Sequence, residues 1–390
     1  MKVASIVGAR PQFVKAAPVS RALERYNRAH PDRPLQEILV HTGQHYDYEM
    51  SEIFFKDLEL KEPDFHLDVG SGTHAYQIGE MLKRVETVLL GERPDWVLVY
   101  GDTNSTLAGA LAAAKVPVPV AHVEAGLRSF NRRMPEESNR VLTDHVSSLL
   151  LCPTETAVKN LAQESITRGV HLVGDVMYDT LVDHGAKAEK HSTILTRLQL
   201  RSKEYILVTV HRAENTDDPA RLDEIVGALE DISTASPVVW PVHPRTRQAL
   251  ERYRPSPLMA HRLGVFDHPL RMIDPVSYLD MLVLEKEAKV VLTDSGGVQK
   301  EAYLLGVPCV TLREETEWVE TVEAGRNVLV GADRRHIVEA ATNRVWSQTR
   351  PLLFGDGHAS DAIVHLLAAY DDTRRNQRVP HPGDQLVFGI

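Results

Sequence analysis

The stretch VVLTDSGGVQKEA, residues 290–302, runs from a β-branched segment through a glycine-rich turn into a helical pattern. A short run that is apolar throughout suits a strand buried on both faces of a parallel sheet. Glycines at the turn let the backbone reverse tightly, and free N–H groups at a helix start attract an anion. The same grammar occurs in the first half, where WVLVYGDTNSTLAGALAA spans residues 96–113. Two βα units of this kind, far apart in the chain, predict an α/β fold with more than one parallel sheet.

Working outward, strands are predicted at 2–7, 37–42, 96–100, 118–123 and 148–152. Helical patterns fall between them at 13–25, 75–90, 105–114, 136–147 and 155–163. A second series then starts afresh, with strands at 205–210, 238–242, 290–293, 308–312 and 328–330. Its helices are predicted at 219–231, 245–253, 275–287, 298–305 and 333–345. The join is expected near Val173–Asp175, followed by a helix over 177–189, and the polar stretch 187–203 reads as a linker. The expectation is therefore two Rossmann-like domains, 1–174 and 175–358, with a closing helix over 359–372 and a weakly ordered tail, 373–390. Ligands of such sheets bind beyond the carboxyl ends of the strands, here in the cleft between the two domains.

A chain of 390 residues exceeds what a single core usually serves, which fits two domains. With 44 basic and 54 acidic residues the formal charge is −10, so general nucleic-acid binding is not expected. A local cluster of cations can still meet an anionic ligand. The two cysteines, Cys152 and Cys309, form no CxxC pair and read as buried core thiols. No HxH or HExxH spacing suggests a metal, and no dinucleotide fingerprint suggests a nicotinamide. The opening run is too short for a signal peptide, and no apolar stretch approaches membrane length, so a cytoplasmic protein is expected.

Several residues stand at strand-to-helix transitions. Gly8-Ala9-Arg10-Pro11-Gln12 follows the first strand, with Arg10 able to fork onto phosphate and Lys15 one turn into the helix. In the second half Ser295, Gly296 and Gly297 form a candidate diphosphate cradle, and Glu301, one turn on, is placed to accept from ribose hydroxyls. Each serine or aspartate there also has a plain explanation as a helix cap. Carboxylates cluster at Asp102, Glu124 and the pair Glu136-Glu137. Taking a proton from carbon needs such a base, partly desolvated and beside the substrate. His211 ends the strand at 205–210 and is expected to enter the cleft from the second domain, with His243 placed similarly.

Taken together, GARPQFVK, HTGQHYD, GDTNSTLAGALAA, HVEAGLRS, MPEESNR, VGDVMYDTL, TVHRAEN, PVHPRT, LTDSGGVQKEA and GDG resemble the non-hydrolysing UDP-N-acetylglucosamine 2-epimerase family, from Gly8 to Gly357. The resemblance implies a glycosyltransferase-B-like fold, a homodimer, and no metal or cofactor. It implies elimination of UDP across C1–C2 to a glycal, then re-addition with the proton delivered to the other face. Residue by residue, it implies catalytic roles for Asp102, Glu124, Glu136, Lys15 and His211. It implies substrate contacts for Arg10, Ser295, Gly296, Gly297 and Arg313, and ribose-side contacts for Glu301 and Arg140.

There are departures. Gln44, His45 and His243 match part of a second, allosteric UDP-sugar site known in the family. Asp47 and Ala213 replace its usual glutamine and arginine, which argues against substrate activation. The family's SGGxQEE reads SGGVQKE here, and its TERPE reads TEWVE over 316–320. These features also resemble the subgroup acting on UDP-2,3-diacetamido-2,3-dideoxyglucuronate. A C6 carboxylate would want an extra cation, for which Arg128, Arg132 and Arg133 are candidates. Two other readings are a UDP-sugar glycosyltransferase, which needs an acceptor but not the three carboxylates, and a non-catalytic UDP-sugar-binding protein.

Overall fold

The computed structural model describes residues 1–44, 58–253 and 269–377, apart from the side chains of Arg10 and of residues 371–377. In chain order the first part contains β1 (Lys2–Val7), α1 (Arg10–Ala29), β2 (Gln36–His41), β3 (Phe65–His66), α2 (His74–Glu92), β4 (Trp96–Tyr100) and α3 (Asn104–Lys115). It continues with β5 (Val120–Val123), α4 (Pro135–Val146), β6 (Leu149–Cys152), α5 (Glu155–Gln163), β7 (Val170–Leu172), α6 (Val176–His191) and α7 (Ile194–Arg197). The second part contains β8 (Ile206–Thr209), α8 (Ala213–Thr216), α9 (Pro219–Ser233), β9 (Val238–Pro241), α10 (Pro244–Tyr253), β10 (Leu270–Ile273), α11 (Tyr278–Glu287) and β11 (Val290–Thr293). It closes with α12 (Gly296–Leu304), β12 (Cys309–Thr311), α13 (Val319–Glu323), β13 (Asn327–Leu329), α14 (Arg334–Thr342) and α15 (Ala359–Gln377).

Two sheets result, in orders β3-β2-β1-β4-β5-β6-β7 and β10-β9-β8-β11-β12-β13, and every pairing is parallel. Each is the doubly wound Rossmann order, which reverses direction between its first and fourth strands and opens a crevice there. In the first sheet the crevice lies past Val7 and Tyr100; in the second it lies past Thr209 and Thr293. This is the glycosyltransferase-B-like arrangement expected from the motif series. Strands β4, β5, β6 and β11 are buried along their whole length and are mostly apolar, with His122 of β5 hydrogen-bonded to Asp144 and the Gly101 carbonyl.

Three strands escaped the sequence reading: β3, β7 and β10. All lie at sheet edges, and all are four residues or shorter, too short for a periodic signal. The stretch expected as a linker, 187–203, is not one. Helix α6 continues to His191, α7 follows, and Ile194 and Leu198 are buried in the core. The polar residues there form the outer face of packed helices.

Helix α6 is central to the assembly of the two sheets. It packs on α1 and α15 on one side and on α11 and α12 on the other. Its residues Val176, Met177 and Leu181 share one apolar cluster with Phe13, Tyr278, Leu284 and Ile363. Asp179 of α6 accepts from the N–H groups of Ala359 and Ser360, capping the start of α15, which packs back onto α1. Cys152 and Cys309 are free and buried, and burial pushes each thiol up to about 12, as core thiols should be.

Candidate active site

The centre of the first crevice is an ion pair. Lys15 Nζ lies 2.6 Å from Glu124 Oε2, and each side chain keeps 9 % of its surface. Lys15 comes from the second turn of α1, and Glu124 directly follows β5. Gly101 makes the approach possible, because a Cβ there would stand 2.8 Å from the Lys15 ammonium. Burial works against the charge on Lys15, but Glu124, Asp102 and Asp175 outweigh it and hold its pKa above the ordinary value. Glu124 has φ +73°, the left-handed region that costs a non-glycine residue roughly 1 kcal/mol or more. Such a conformation persists only where the surroundings over-determine it, and it aims the carboxylate at the strand end.

Asp102 follows β4 and receives Arg140 Nη2 at 2.5 Å. Burial tends to raise its pKa, but the cations of Arg140, Lys15 and Arg212 prevail and keep it below the usual carboxylate range. Asn139 donates to the Asp102 carbonyl at 2.9 Å, so α4 fixes both its backbone and its side chain. Arg140 itself is buried and also binds Glu137 at 2.7 Å and Glu317 at 3.5 Å. Its partners in the structure are thus the acids Asp102, Glu137 and Glu317. Arg313, also buried, is paired with Glu317 through both guanidinium nitrogens, at 3.2 and 3.3 Å.

The adjacent glutamates of RMPEESNR separate cleanly. Glu137 is buried and accepts from the Ser129 and Phe130 N–H groups and the Ser129 hydroxyl, each at 2.9 Å. It builds the loop. Glu136 keeps 35 % of its side-chain surface and lies 3.5 Å from Arg212, which belongs to the second sheet's crevice. His211, in that same crevice, keeps 36 %, and Asp102 keeps 29 %. With Arg212, which keeps 29 %, these are partly accessible groups held among buried ones.

In the second crevice Ser295 caps α12, accepting from Val298 N–H at 3.5 Å. The capping role weighed in the sequence is thus real, and Gly296 and Gly297 beside it stay partly exposed. Gly296 and Gly297 are not demanded by packing. A Cβ at Gly296 would meet Trp318 at an ordinary 3.4 Å, and one at Gly297 would meet nothing nearer than 3.7 Å. Bare backbone facing the cleft at a helix N-terminus is what a phosphate group needs. Glu301 is buried one turn on and accepts from Tyr278 Oη at 3.3 Å.

The first loop behaves differently from its expectation. The Gly8 and Ala9 N–H groups both donate to Gln12 Oε1, at 2.8 and 3.1 Å, so they are already satisfied. Gly8 is a packing glycine: a Cβ would stand 1.9 Å from Thr42 Oγ1. The Arg10 side chain, His45 and Asp47 lie outside the described residues. Gln44 accepts from Ser105 N–H and Oγ at the start of α3, a helix-capping role. The His243 ring lies 5.5 Å from that of His211, tilted by 38°, and accepts from Arg245 N–H. Arg128 is buried and paired with Asp144 at 2.7 Å and Glu164 at 2.6 and 2.9 Å, whereas Arg132 and Arg133 are exposed.

Four contributors were not singled out in the sequence. Asp294 is fully buried and accepts from the His211 and Arg212 N–H groups and from Asn215 Nδ2, at 3.0–3.1 Å. It sets the loop that carries His211, and the signal was its place directly after β11. Lys300, fully buried on α12, pairs with Asp175 and lies 3.7 Å from Glu124. Arg212 and Glu317 complete the contacts across the cleft. Among the described residues no helix is long and apolar enough to cross a membrane.

The sequence model of the UDP-N-acetylglucosamine 2-epimerase family matches residues 27–368. A UDP-N-acetylglucosamine 2-epimerase homolog of Methanococcus maripaludis is 53 % identical over 94 % of this chain and 99 % of its own length. The UDP-2,3-diacetamido-2,3-dideoxy-D-glucuronate 2-epimerase of Pseudomonas aeruginosa is 51 % identical, again over 94 % and 99 %. The crystal structure of Methanocaldococcus jannaschii UDP-GlcNAc 2-epimerase in complex with UDP-GlcNAc and UDP superposes with a TM-score of 0.85 at 43 % identity. It covers 95 % of this chain and all of that one. With a match over most of its length and relatives above half identity, the chain belongs to the UDP-N-acetylglucosamine 2-epimerase family.

Proposed function

We propose that this protein interconverts UDP-N-acetylglucosamine and UDP-N-acetylmannosamine, inverting C2 of the sugar. The observation that carries this is the pairing of two crevices. A charged cluster of Lys15, Glu124 and Asp102 closes one, and the open helix start at Ser295–Gly297 faces it from the other. Substrate would lie between them, with its diphosphate on α12 and C2 of the sugar toward the carboxylates.

One carboxylate of the set Asp102, Glu124 and Glu136 takes the C2 proton while the C1–O bond breaks. UDP departs with the bonding electrons, and C1=C2 forms in the resulting glycal. UDP then returns to C1, and another acid delivers a proton to the opposite face of C2. The C2 proton is weakly acidic, so the step depends on stabilising the leaving diphosphate; His211 and the α12 amides supply that. Arg140 and Lys15 keep Asp102 ionised and so able to receive a proton, though a weaker base than a free carboxylate; its role rests on its position at the strand end. Lys15 holds Glu124 in place through the 2.6 Å contact. Glu301 is assigned to the ribose.

A second reading, the 2-epimerase of UDP-2,3-diacetamido-2,3-dideoxyglucuronate, is favoured by the 51 % identity to the Pseudomonas enzyme. Its C6 carboxylate would fall to Arg132 or Arg133, since Arg128 is already bound. Division into residues 1–174 with helix 359–372, and 175–358, a homodimer, and a cytoplasmic location complete the proposal. Light scattering checks the dimer.

The test is incubation with each UDP-sugar alone in deuterated water, followed by proton NMR. Deuterium at C2 of UDP-N-acetylglucosamine with appearance of the 2-epimer supports the first reading. Exchange confined to the diacetamidoglucuronate selects the second. No exchange in either, with transfer only when an acceptor is added, would point to a glycosyltransferase instead.

A further inference from the structure

Lys300 has no solvent exposure, yet its ammonium touches three segments of the chain. It pairs with Asp175, the N-cap of α6 at the crossover between the sheets. It stands 4.2 Å over the ring of Trp318 and 3.7 Å from Glu124 Oε2. A buried cation demands compensation, and Asp175 with the ring face already provides it. The approach to Glu124 is therefore more than the lysine's own solvation requires. Lys15, from the opposite sheet, reaches the same oxygen at 2.6 Å.

Lys300 also shares α12 with Ser295, Gly296 and Gly297, one turn away. A nine-residue helix moves as a rigid body, so a shift of its N-terminus shifts the Lys300 ammonium relative to Glu124. Glu124 meanwhile occupies a left-handed backbone position that its neighbours must impose.

We propose that Lys300 is a positioning residue that couples seating of the diphosphate on α12 to the placement of the Glu124 carboxylate. This rests on the epimerase reading of the site. Lys300 transfers no proton; it clamps one carboxylate oxygen from the second sheet while Lys15 clamps it from the first. Diphosphate on the helix start and the acid–base group then come into register together.

The experiment uses the full chain carrying Lys300→Met, and the paired variant Lys300→Met with Asp175→Asn. The pair removes both partners of the buried ion pair at once, so that no orphaned charge unfolds the protein. Thermal melting establishes folding, calorimetry gives the UDP Kd, and NMR gives kcat and KM for C2 inversion. The expected result for the paired variant is a UDP Kd within about threefold of the parent and a kcat lowered roughly 10- to 100-fold, the scale of a misplaced catalytic group. A merely structural pair would alter melting and leave kcat alone. A folded paired variant with kcat within threefold of the parent would overturn the proposal, as would a loss confined to KM and Kd. Failure of the unsubstituted protein to exchange C2 hydrogen would sink the epimerase reading and this proposal with it.

Discussion

Gly8, Gly296 and Gly297 all stand at strand-to-helix turns, yet the structure separates their roles, and alanine scanning should do the same. At Gly296 and Gly297 an added methyl meets only ordinary contacts, at 3.4 and 3.7 Å or beyond, inside the first turn of a helix. Stability should be unchanged or rise by up to about 1 kcal/mol, the helix-propensity gain of alanine over glycine. Both methyls, however, occupy the space a diphosphate oxygen needs to reach the backbone amides. Losing one or two charge-assisted contacts costs about 1.5–3 kcal/mol each, a rise in UDP Kd of roughly 10- to 100-fold or more. At Gly8 the methyl would stand 1.9 Å from Thr42 Oγ1 and 2.2 Å from Ser105 Oγ, two groups hydrogen-bonded to each other at 2.8 Å. Overpacking of that kind costs about 1–3 kcal/mol or more. Thermal melting and UDP calorimetry on the variants Gly296→Ala, Gly297→Ala and Gly8→Ala therefore give opposite patterns. If the first two bind UDP within threefold of the parent, the diphosphate does not sit on α12 and the assignment of the cleft is wrong.

Asp102→Asn should keep UDP affinity and lose at least about 100-fold in turnover, the scale of acid–base removal; near-normal kcat refutes its role. Lys15→Met should abolish most turnover but destabilise by less than the roughly 3–5 kcal/mol typical of a broken buried pair, because Lys300 remains 3.7 Å from Glu124; a denaturation series decides. Asp144 has a lowered pKa: burial raises it, and the hydrogen bond from His122 and the charge of Arg128 outweigh burial. A depressed carboxylate adds stability above its unfolded value of about 3.9 and loses it as pH falls further. Asp144→Asn should accordingly be destabilised at pH 7, with its gap to the parent narrowing as pH falls below about 4; an equal gap at pH 3 and pH 7 contradicts this.

The α/β class, the two series of strands and the order of the motifs were legible because they are local. A buried strand followed by a glycine turn and a helix leaves a mark within a dozen residues, as residues 290–302 do. Positions at strand ends could be named for the same reason: Asp102, Glu124, His211 and Ser295 all lie at crevice mouths. Edge strands β3, β7 and β10 left too little pattern to read, and the helical face over 187–203 passed for a linker because only Ala188, Ile194 and Leu198 mark its buried side.

Which charged residues face the ligand was a tertiary decision. Glu136 and Glu137 are neighbours in sequence, but α4 turns one toward Arg212 and the other into the Ser129–Phe130 loop. Arg128 and Arg140 offer equivalent guanidiniums in the chain, and only packing shows each already held by buried acids. Nothing in the chain marks Lys300; burial of that helix face carried it to Asp175 and Glu124, more than a hundred residues away in sequence. Backbone propensity and apolar period act over one element, so the chain alone determines the elements. Charge partners are set by which elements meet, and that is decided when the two sheets pack.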